Sequence, residues 1–291
     1  MPPSAHRRLC RRSPSLPLGG SGEAELRRMP RIGIGDIDVH YVEAGAGDPL
    51  VLVHGLGGSW ADWDYQIRAF GEHYRVLAPD LRGFGDTPIG ERGPGVAQFV
   101  DDLRRFLDAV GVESCLLVGH SMGGAVCLQF ALQHPQRVRR LVIANSVPGF
   151  RPRTSRQYFE IGYRLLVMGL LGPARLSRIS ARRMFPGPEN EGLRAKVIAR
   201  GARNTRRAYL GSLCRLVQWS VIDRLPELKM PTLVVGAGQD YFDHDDVVKF
   251  AHALPRGYLH WFAEGRHGLP SEAPEAFNPV LLKFFRRKVA P

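Results

Sequence analysis

Short, nearly pure apolar runs recur along this chain of 291 residues and limit its possible folds more than any other feature. The runs are residues 51–53, 75–78, 115–118, 141–143 and 233–235. Apolar runs without alternation suit strands that are buried on both faces. Such strands are typical of parallel sheets, which need a layer of helices on each side.

The segments between these runs carry helical patterns. Residues 96–110 place apolar side chains at the spacing of a helix with one buried face, and residues 122–133 form a second helical segment. Before the first run, apolar residues alternate through residues 32–41 around Gly35-Asp36, which indicates an antiparallel hairpin. The order of elements predicts an α/β protein with a doubly wound, mostly parallel sheet and an N-terminal antiparallel hairpin.

Residues 148–225 interrupt the alternation, because they contain helical stretches and Gly-Pro breaks but no strand pattern. We expect them to form an all-helical insertion that caps the sheet, called the helical insertion below. Residues 29–147 and 226–291 would then make up the α/β core. Residues 1–28 are rich in Pro, Ser, Gly and Arg, and they are expected to be a disordered basic leader.

The net charge of +12 is concentrated in the helical insertion, which holds fifteen Arg and one Lys against four acidic residues. No basic motif is interleaved with aromatic residues, so we expect no nucleic-acid binding. Two interpretations remain open. The insertion could attract anionic substrates or an acidic membrane surface, or it could be a solvated basic helical face.

The location of the protein is constrained by what the sequence lacks. No stretch approaches the ~20 apolar residues that span a bilayer, and no apolar run follows the N-terminal arginine pairs as in a secretion signal. The four cysteines are widely spaced and form no C-x-x-C pair, which disfavours disulfides and a metal site. These features predict a cytoplasmic protein.

The sharpest chemical signal is the G-x-S-x-G motif at residues 119–123, between the run 115–118 and the helical segment 122–133. A sharp turn there would lift Ser121 above the end of its strand. A serine hydroxyl is a poor nucleophile without a base and without donors for an oxyanion. The Met122 amide at the helix start is the first expected donor. The alternative is a glycine-rich turn with an incidental serine.

A second donor is expected from the loop His54-Gly55-Leu56-Gly57-Gly58, where the Leu56 amide would face the serine. The loop lacks the Lys and Ser/Thr of a nucleotide-binding loop. Side chains and glycines near the two loops, with two aromatic residues of the helical insertion, are the candidates for substrate contact. They are His54, Gly55, Gly57, His120, Phe159 and Tyr163.

The expected base is His267, which follows the apolar segment 258–262 at the carboxyl edge of the sheet, where ligands bind in open α/β folds. The expected orienting acid is Asp240, which follows the run 233–235 at the same edge. Rival acids are Asp243, Asp245 and Asp246, which lie further into the next helix start.

From about residue 31 to its end, the chain resembles the α/β-hydrolase superfamily, in the serine esterase and lipase branch with a helical cap. The resemblance is carried by residues 54–58, 80–85, 119–124 and 236–240, and by His267 followed by Glu272-Ala273-Pro274. It implies that Ser121 is the nucleophile, His267 the base and Asp240 the acid, in the chain order of this fold.

The resemblance also implies that the Leu56 and Met122 amides hold the oxyanion, and that no metal or organic cofactor is needed. One departure from the family pattern is Pro270, which stands three residues after the histidine instead of two. The spacing from His267 to Glu272 is kept, so the assignment of the histidine is unaffected.

Serine at position 121 disfavours the dehalogenases and epoxide hydrolases, which use aspartate, and the cysteine-dependent dienelactone hydrolases. The leading interpretation is hydrolysis of a carboxylic ester of a small or lipid-like apolar substrate through an acyl-serine. Enol-lactones and carbon–carbon cleavage are alternatives, although carbon–carbon hydrolases commonly have Asn where His120 stands. An acyltransferase and a ligand receptor that retains the three residues are further alternatives.

Overall fold

The structure is a computed structural model that describes residues 27–287. Most of the predicted leader, residues 1–26, lies outside the described residues. Arg27–Arg28 forms a short strand that pairs with residues 43 and 44. The last two residues of the expected leader therefore pair at the sheet edge.

Within residues 27–287, nine strands form the sheet, and each predicted apolar run lies inside one of them. The strands are β1 Arg27–Arg28, β2 Arg31–Gly33, β3 Asp38–Ala44, β4 Pro49–Val53, β5 Arg75–Pro79, β6 Cys115–His120, β7 Val138–Ala144, β8 Thr232–Gln239 and β9 Gly257–Arg266. Their order is β1-β3-β5-β4-β6-β7-β8-β9, with β2 also paired to β3. Pairing from β5 through β9 is parallel, whereas β1, β2 and β5 pair with β3 in antiparallel fashion.

Helices cover both faces of the sheet. The helices are α1 Asp64–Gly71, α2 Val96–Ala109, α3 Met122–Gln133, α4 Ser155–Leu166, α5 Gly172–Met184, α6 Glu191–Gly201, α7 Arg206–Leu216, α8 His244–His252, α9 Leu269–Glu272 and α10 Pro274–Arg286. Helices α2, α3 and α8 pack on one face, and α1, α9 and α10 pack on the other. The prediction of a doubly wound, mostly parallel sheet is confirmed.

Strand β4 shows why its run is apolar throughout. Val51 and Val53 pack into one helical layer, whereas Leu50 and Leu52 pack into the other, and all four side chains are fully buried. Alternate side chains of a strand point to opposite faces, so a central strand with two covered faces needs apolar residues at every position.

The predicted N-terminal hairpin is also confirmed, as β2 and β3. A buried guanidinium ties its turn to the core. Arg82 donates hydrogen bonds to both carboxylate oxygens of Asp36 in the turn, and to both carboxylate oxygens of Asp102 in α2. One fully buried cation therefore joins three separate segments of the chain.

Helices α4–α7 lie between β7 and β8, as expected for the helical insertion. The chain leaves the core and returns to it at one place, where Phe150 N–H donates to Trp219 O at 3.0 Å and Val221 N–H donates to Pro148 O at 2.8 Å. The insertion has a small apolar core of its own. Within residues 27–287, the longest apolar helical stretches fall short of what crossing a membrane would require.

Candidate active site

The turn between β6 and α3 holds Ser121 in an unusual backbone conformation, with φ 54° and ψ −121°. Positive φ is uncommon for a residue with a side chain and marks a backbone held by its surroundings. Neighbouring glycines permit the turn. A Cβ at Gly119 would lie 2.4 Å from the Gly123 carbonyl oxygen, and one at Gly123 would lie 2.2 Å from the Val53 carbonyl oxygen.

His267 joins Ser121 to Asp240 in one hydrogen-bonded series. His267 Nε2 lies 3.0 Å from Ser121 Oγ, and His267 Nδ1 lies 2.6 Å from Asp240 Oδ1. A carboxylate only accepts hydrogen bonds, so Nδ1 carries the proton and Nε2 is free to accept from the serine hydroxyl. The structure thus brings together the three residues that the sequence placed at the ends of different strands.

Three donors hold the carboxylate of Asp240. Oδ1 accepts from His267 and from the Tyr241 amide at 2.6 Å, and Oδ2 accepts from Asn145 Nδ2 at 2.7 Å. Burial alone would raise the pKa of Asp240, but the charge and hydrogen bond of His267, with the other two donors, hold that pKa below its ordinary value. The carboxylate therefore stays ionised beside His267.

Asn145 was missed by the sequence reasoning. It directly follows β7, which lies between the strands that precede Ser121 and Asp240. The rule that pointed to Asp240, a polar residue at the carboxyl end of a central strand, would also have found Asn145. Its φ of 49° and a second bond from Nδ2 to Arg266 O at 3.2 Å fix its side chain.

His120 lies beside the histidine of the series. Its Nε2 donates to the His267 carbonyl oxygen at 2.7 Å, and the two ring centroids are 5.0 Å apart. Burial, followed by the nearby charge of His267, lowers the pKa of His120 to about 4. His120 is therefore neutral near pH 7, and it lines the cavity while holding the backbone of His267.

The two expected oxyanion donors lie in backbone segments next to Ser121. Met122 is the first residue of α3, so its amide has no carbonyl partner within the helix. Leu56 follows Gly55, where an added Cβ would lie 3.1 Å from Ser121 Cβ. Because Gly55 has no side chain, the loop after β4 can approach the serine closely.

His54 is one of the expected substrate-contact residues, but it is not among the residues that line the cavity. Its ring is fully buried, with Nδ1 donating to Gly55 O at 2.8 Å and Nε2 accepting from Leu81 N–H at 2.9 Å. Burial lowers its pKa, which keeps the ring neutral for this pair of bonds. His54 therefore ties the loop after β4 to the loop after β5.

A cavity of about 890 Å³ opens above Ser121, between the α/β core and the helical insertion. Among the substrate-contact candidates, Gly55, Gly57, His120 and Phe159 line it. Gly57 also accepts a hydrogen bond from Asn204 Nδ2 at 2.8 Å, which joins the loop to the insertion. Phe159 is 72% exposed and marks the rim of the cavity.

Tyr163 is another expected substrate-contact residue, and it lies outside the lining of the cavity. Its ring stacks on Phe159 at a centroid distance of 6.3 Å. The Arg183 guanidinium lies 5.4 Å from the centroid of the Tyr163 ring. Tyr163 lies one helical turn further along α4 than Phe159, and only Phe159 reaches the rim of the cavity. Tyr163 supports Phe159.

The wall of the cavity also carries the guanidinium group of Arg164. The sequence did not distinguish this residue from the other arginines of the helical insertion. The Arg164 guanidinium lies 5.1 Å from the centroid of the Tyr241 ring, next to Asp240 in the chain. Its Nε donates to Glu160 Oε1 at 2.9 Å. Glu160 also accepts from Arg183 at 2.9 Å, so two guanidiniums share one carboxylate on this wall.

A group with metal-ligand chemistry lies elsewhere, where His40, Asp80 and Asp86 bring ligand atoms within 4.8 Å of one another. Protein donors already use these oxygens. Asp80 accepts from His40 Nδ1 at 2.7 Å, from the Trp60 amide at 2.7 Å and from the Asp86 amide at 3.0 Å. Asp86 forms an ion pair with Arg203. The group is a hydrogen-bonded cluster that holds the loop after β5.

Comparisons with known proteins agree with this fold. The family model described as the alpha/beta hydrolase fold matches residues 48–274. A curated protein of Azorhizobium caulinodans named carbamate hydrolase RutD is 30% identical over 269 residues, which cover 88% of this chain and 98% of that protein. A 2-hydroxy-6-oxo-2,4-heptadienoate hydrolase of Pseudomonas putida is 43% identical over 129 residues, or 43% of this chain and 46% of that protein.

Among solved structures, the enol-lactonase of Burkholderia xenovorans superposes with a TM-score of 0.80 at 20% identity. The match covers 89% of this chain and 100% of that chain, and it supports the same fold. With the family match spanning most of the described residues, the chain belongs to the α/β-hydrolase fold family and is a hydrolase of that family.

Proposed function

We propose that this hydrolase cleaves carboxylic esters through an acyl-serine intermediate on Ser121. The observation that carries the proposal is the series from Ser121 Oγ through His267 to Asp240, at the floor of the 890 Å³ cavity. A nucleophile, a base and an orienting acid within hydrogen-bond reach are what acyl transfer at a serine requires.

In the first half of the reaction, His267 Nε2 takes the hydroxyl proton while Ser121 Oγ attacks the ester carbonyl carbon. The amides of Leu56 and Met122 would stabilise the oxyanion that forms on the carbonyl oxygen. The ester C–O bond then breaks, and the leaving alcohol takes the proton from His267. Asp240 stabilises the imidazolium between these two proton transfers.

In the second half, His267 takes a proton from a water molecule, whose oxygen attacks the acyl carbon of the acyl-serine. A second oxyanion forms and collapses, the bond to Ser121 Oγ breaks, and the proton returns to the serine. The carboxylic acid product leaves. The chain, one water molecule and the ester supply every atom in these steps.

The cavity wall favours an apolar acyl or alcohol group. Apolar side chains from both the core and the helical insertion line it, including Leu56, Val147, Phe150, Met168, Leu176 and Leu213. Burying such a group away from water is favourable in proportion to its apolar area. We therefore expect longer acyl chains to be preferred over acetate.

A second candidate is hydrolysis of a substrate that carries a carboxylate, such as an enol-lactone or a carbon–carbon substrate from ring cleavage. The observation that favours it is Arg164, whose guanidinium lines the cavity beside Tyr241. Guanidinium groups bind carboxylates with paired hydrogen bonds. The relative from Pseudomonas putida is named for a substrate of this kind.

Carbamates are a further class of substrate to test, because the Azorhizobium caulinodans relative, which matches over nearly its full length, is named a carbamate hydrolase. A carbamate presents a carbonyl carbon to Ser121 as an ester does. Its nitrogen donates electrons to the carbonyl, so a carbamate is less reactive than an ester of the same alcohol.

The test is hydrolysis of p-nitrophenyl esters from acetate to long acyl chains, beside a p-nitrophenyl carbamate, by wild type and Ser121→Ala. We expect turnover by wild type and a loss of ~10⁴-fold or more in kcat for the variant. Labelling of wild type by a serine-directed phosphonate would show that the serine is reactive. Turnover that survives Ser121→Ala, or an enzyme that neither turns over nor labels, would refute the proposal.

A further inference from the structure

Large apolar side chains are exposed together on the helical insertion. The set, called the apolar patch below, is Tyr158 (62% exposed), Phe159 (72%), Leu166 (58%), Leu170 (71%) and Leu171 (60%). Elsewhere in the described chain, apolar side chains of this size are exposed singly and mostly to a smaller extent. Scattered exposed apolar residues are ordinary, whereas a contiguous group of them marks an interaction site.

The patch lies on a single helical segment, because α4 continues into a π-helix at Val167–Leu171. Phe159, Leu166 and Leu170 follow one another at spacings of two helical turns and one turn, so they share a face. Gly162 and Gly169 lie between them, and an added Cβ at either would meet open space. The surface between the apolar side chains is therefore low and unobstructed.

Exposed guanidinium groups flank the patch. The next helix, α5, presents Arg175, Arg178 and Arg182 to solvent at helical spacing, and Arg156 lies in the first turn of α4. Among residues 27–287, no carboxylate lies within ion-pair distance of these four guanidiniums. The one acid within α4, Glu160, is already bonded to Arg164 and Arg183.

We propose that the apolar patch and its flanking arginines dock this protein on an anionic lipid surface. Apolar side chains inserted at the level of the headgroups, with cations around them, give the two attractions that hold amphipathic helices to acidic membranes. In this arrangement the helical insertion lies on the lipid surface.

A second copy of the chain fits this surface less well. Two copies that meet through the same patch in a two-fold contact contribute the same surface from both sides. Both halves of the contact would then carry Arg175, Arg178 and Arg182, while the one acid of α4, Glu160, is already bonded to Arg164 and Arg183. Like charges at close range oppose such a contact, whereas phosphate headgroups complement it.

The location of Phe159 gives the docking a consequence for access to the site. Phe159 belongs to the patch and also lines the 890 Å³ cavity. A docked protein would turn the rim of its cavity toward the lipid, so that an apolar ligand could enter without crossing water. The docking itself does not depend on the chemistry at Ser121.

The test is co-sedimentation of the full-length chain with vesicles of phosphatidylcholine alone, or of phosphatidylcholine and phosphatidylglycerol in equal parts, at low salt. One variant removes apolar contact (Leu170→Ser with Leu171→Ser), and another removes charge (Arg175→Gln, Arg178→Gln and Arg182→Gln). Matched controls are Leu259→Ser and Arg256→Gln, which change exposed residues away from the insertion.

We expect wild type, both controls and Ser121→Ala to bind the anionic vesicles, and each patch variant to bind roughly tenfold or more weakly. Circular dichroism melting shows whether the variants are folded. The proposal is overturned if wild type does not bind, if both patch variants bind as wild type, or if neutral vesicles bind equally well. It is also overturned if wild type is a dimer that the leucine variant converts to a monomer.

Discussion

Asn145 Nδ2 lies 2.7 Å from Asp240 Oδ2, and this bond closes the hydrogen-bonded series at the end away from Ser121. The same amide nitrogen reaches the carbonyl oxygen of Arg266, the residue before His267. One side chain therefore holds both the carboxylate and the backbone that carries the histidine. Under the proposed mechanism, Asn145 acts through these two residues and is a positioning residue.

Replacing Asn145 should lower kcat with little change in KM. Asn145→Gly is the informative variant, because glycine accepts the φ of 49° without strain while the side chain with its amide is removed. We expect a decrease of roughly 10- to 100-fold, the usual effect of losing a group that orients a site residue. The measurement is steady-state ester hydrolysis. Unchanged kcat would show that Asp240 needs no partner at Oδ2.

His120 should make stability depend on pH. Its pKa in the folded chain is about 4, against an ordinary value of 6.5, so protonation favours the unfolded chain. The neutral ring contributes fully to the free energy of unfolding above pH 6.5, and that contribution is lost as pH falls toward 4. The shift corresponds to about 3 kcal/mol of unfolding free energy.

His120→Asn should remove this part of the pH dependence, since asparagine does not titrate. Urea unfolding above pH 6.5 and near pH 4 measures it in both proteins. We expect wild type to lose more stability than the variant over this range. Equal losses would mean that the folded chain accommodates the charged ring.

Arg82→Lys should destabilise the protein by about 1–3 kcal/mol, because lysine keeps the charge but leaves carboxylate oxygens of Asp36 and Asp102 without a hydrogen-bond donor. Lysine cannot donate to Asp36 and Asp102 at once in the geometry of a guanidinium. The control is Arg224→Lys, at an exposed ion pair with Glu227, which should lower the melting temperature much less. Thermal melting compares them, and equal effects would contradict this account.

Acid should weaken the same cluster. The hydrogen bond from Arg82 holds the pKa of Asp36 well below its usual range. A carboxylate with a depressed pKa stabilises the folded chain above its ordinary pKa, and this contribution is lost as pH falls through the folded value. Asp36→Asn should therefore lower stability near neutral pH and reduce the slope of stability against pH in acid.

Two glycines should respond oppositely to alanine. At Gly123 the new methyl would lie 2.2 Å from the Val53 carbonyl oxygen, a backbone atom that cannot move aside, so Gly123→Ala should disrupt the turn at Ser121. At Gly162, in exposed α4, nothing lies within 4 Å, so Gly162→Ala should stabilise by roughly 0.5–1 kcal/mol. Melting temperatures and phosphonate labelling of Ser121 give the two readouts.

Arg164 should decide between neutral and anionic substrates. The measurement is kcat/KM for mono-p-nitrophenyl succinate and for p-nitrophenyl butyrate, with wild type and with Arg164→Gln. If Arg164 binds a carboxylate, the variant should lose roughly 10- to 100-fold in kcat/KM for the succinate alone. An equal loss on both esters would assign Arg164 a structural role through Glu160 and Tyr241.

The sequence by itself determined the strands, the turn at Ser121 and the edge of the sheet where the site lies. A strand buried on both faces must be apolar at every position, so β4 to β8 are visible as local runs. Parallel strands present their carboxyl ends at one edge, which is why Ser121, Asp240 and His267 could be selected without coordinates. These are local patterns combined with one rule of topology.

Only the tertiary structure decided which polar groups face one another. His54 bonds to Leu81, and Asn145 bonds to Asp240, 95 residues further along the chain. Periodicity assigns a residue to a face of its own element, but a hydrogen bond also depends on the register and rotation of a second element.

Tertiary structure also decided which residues of the helical insertion reach the cavity. Phe159 and Tyr163 lie one turn apart on α4, yet only Phe159 reaches the cavity, and Arg164 meets Tyr241 from a distant segment. How the insertion is rotated over the sheet determines these contacts. That rotation is set by packing between segments distant in sequence, and no local pattern encodes it.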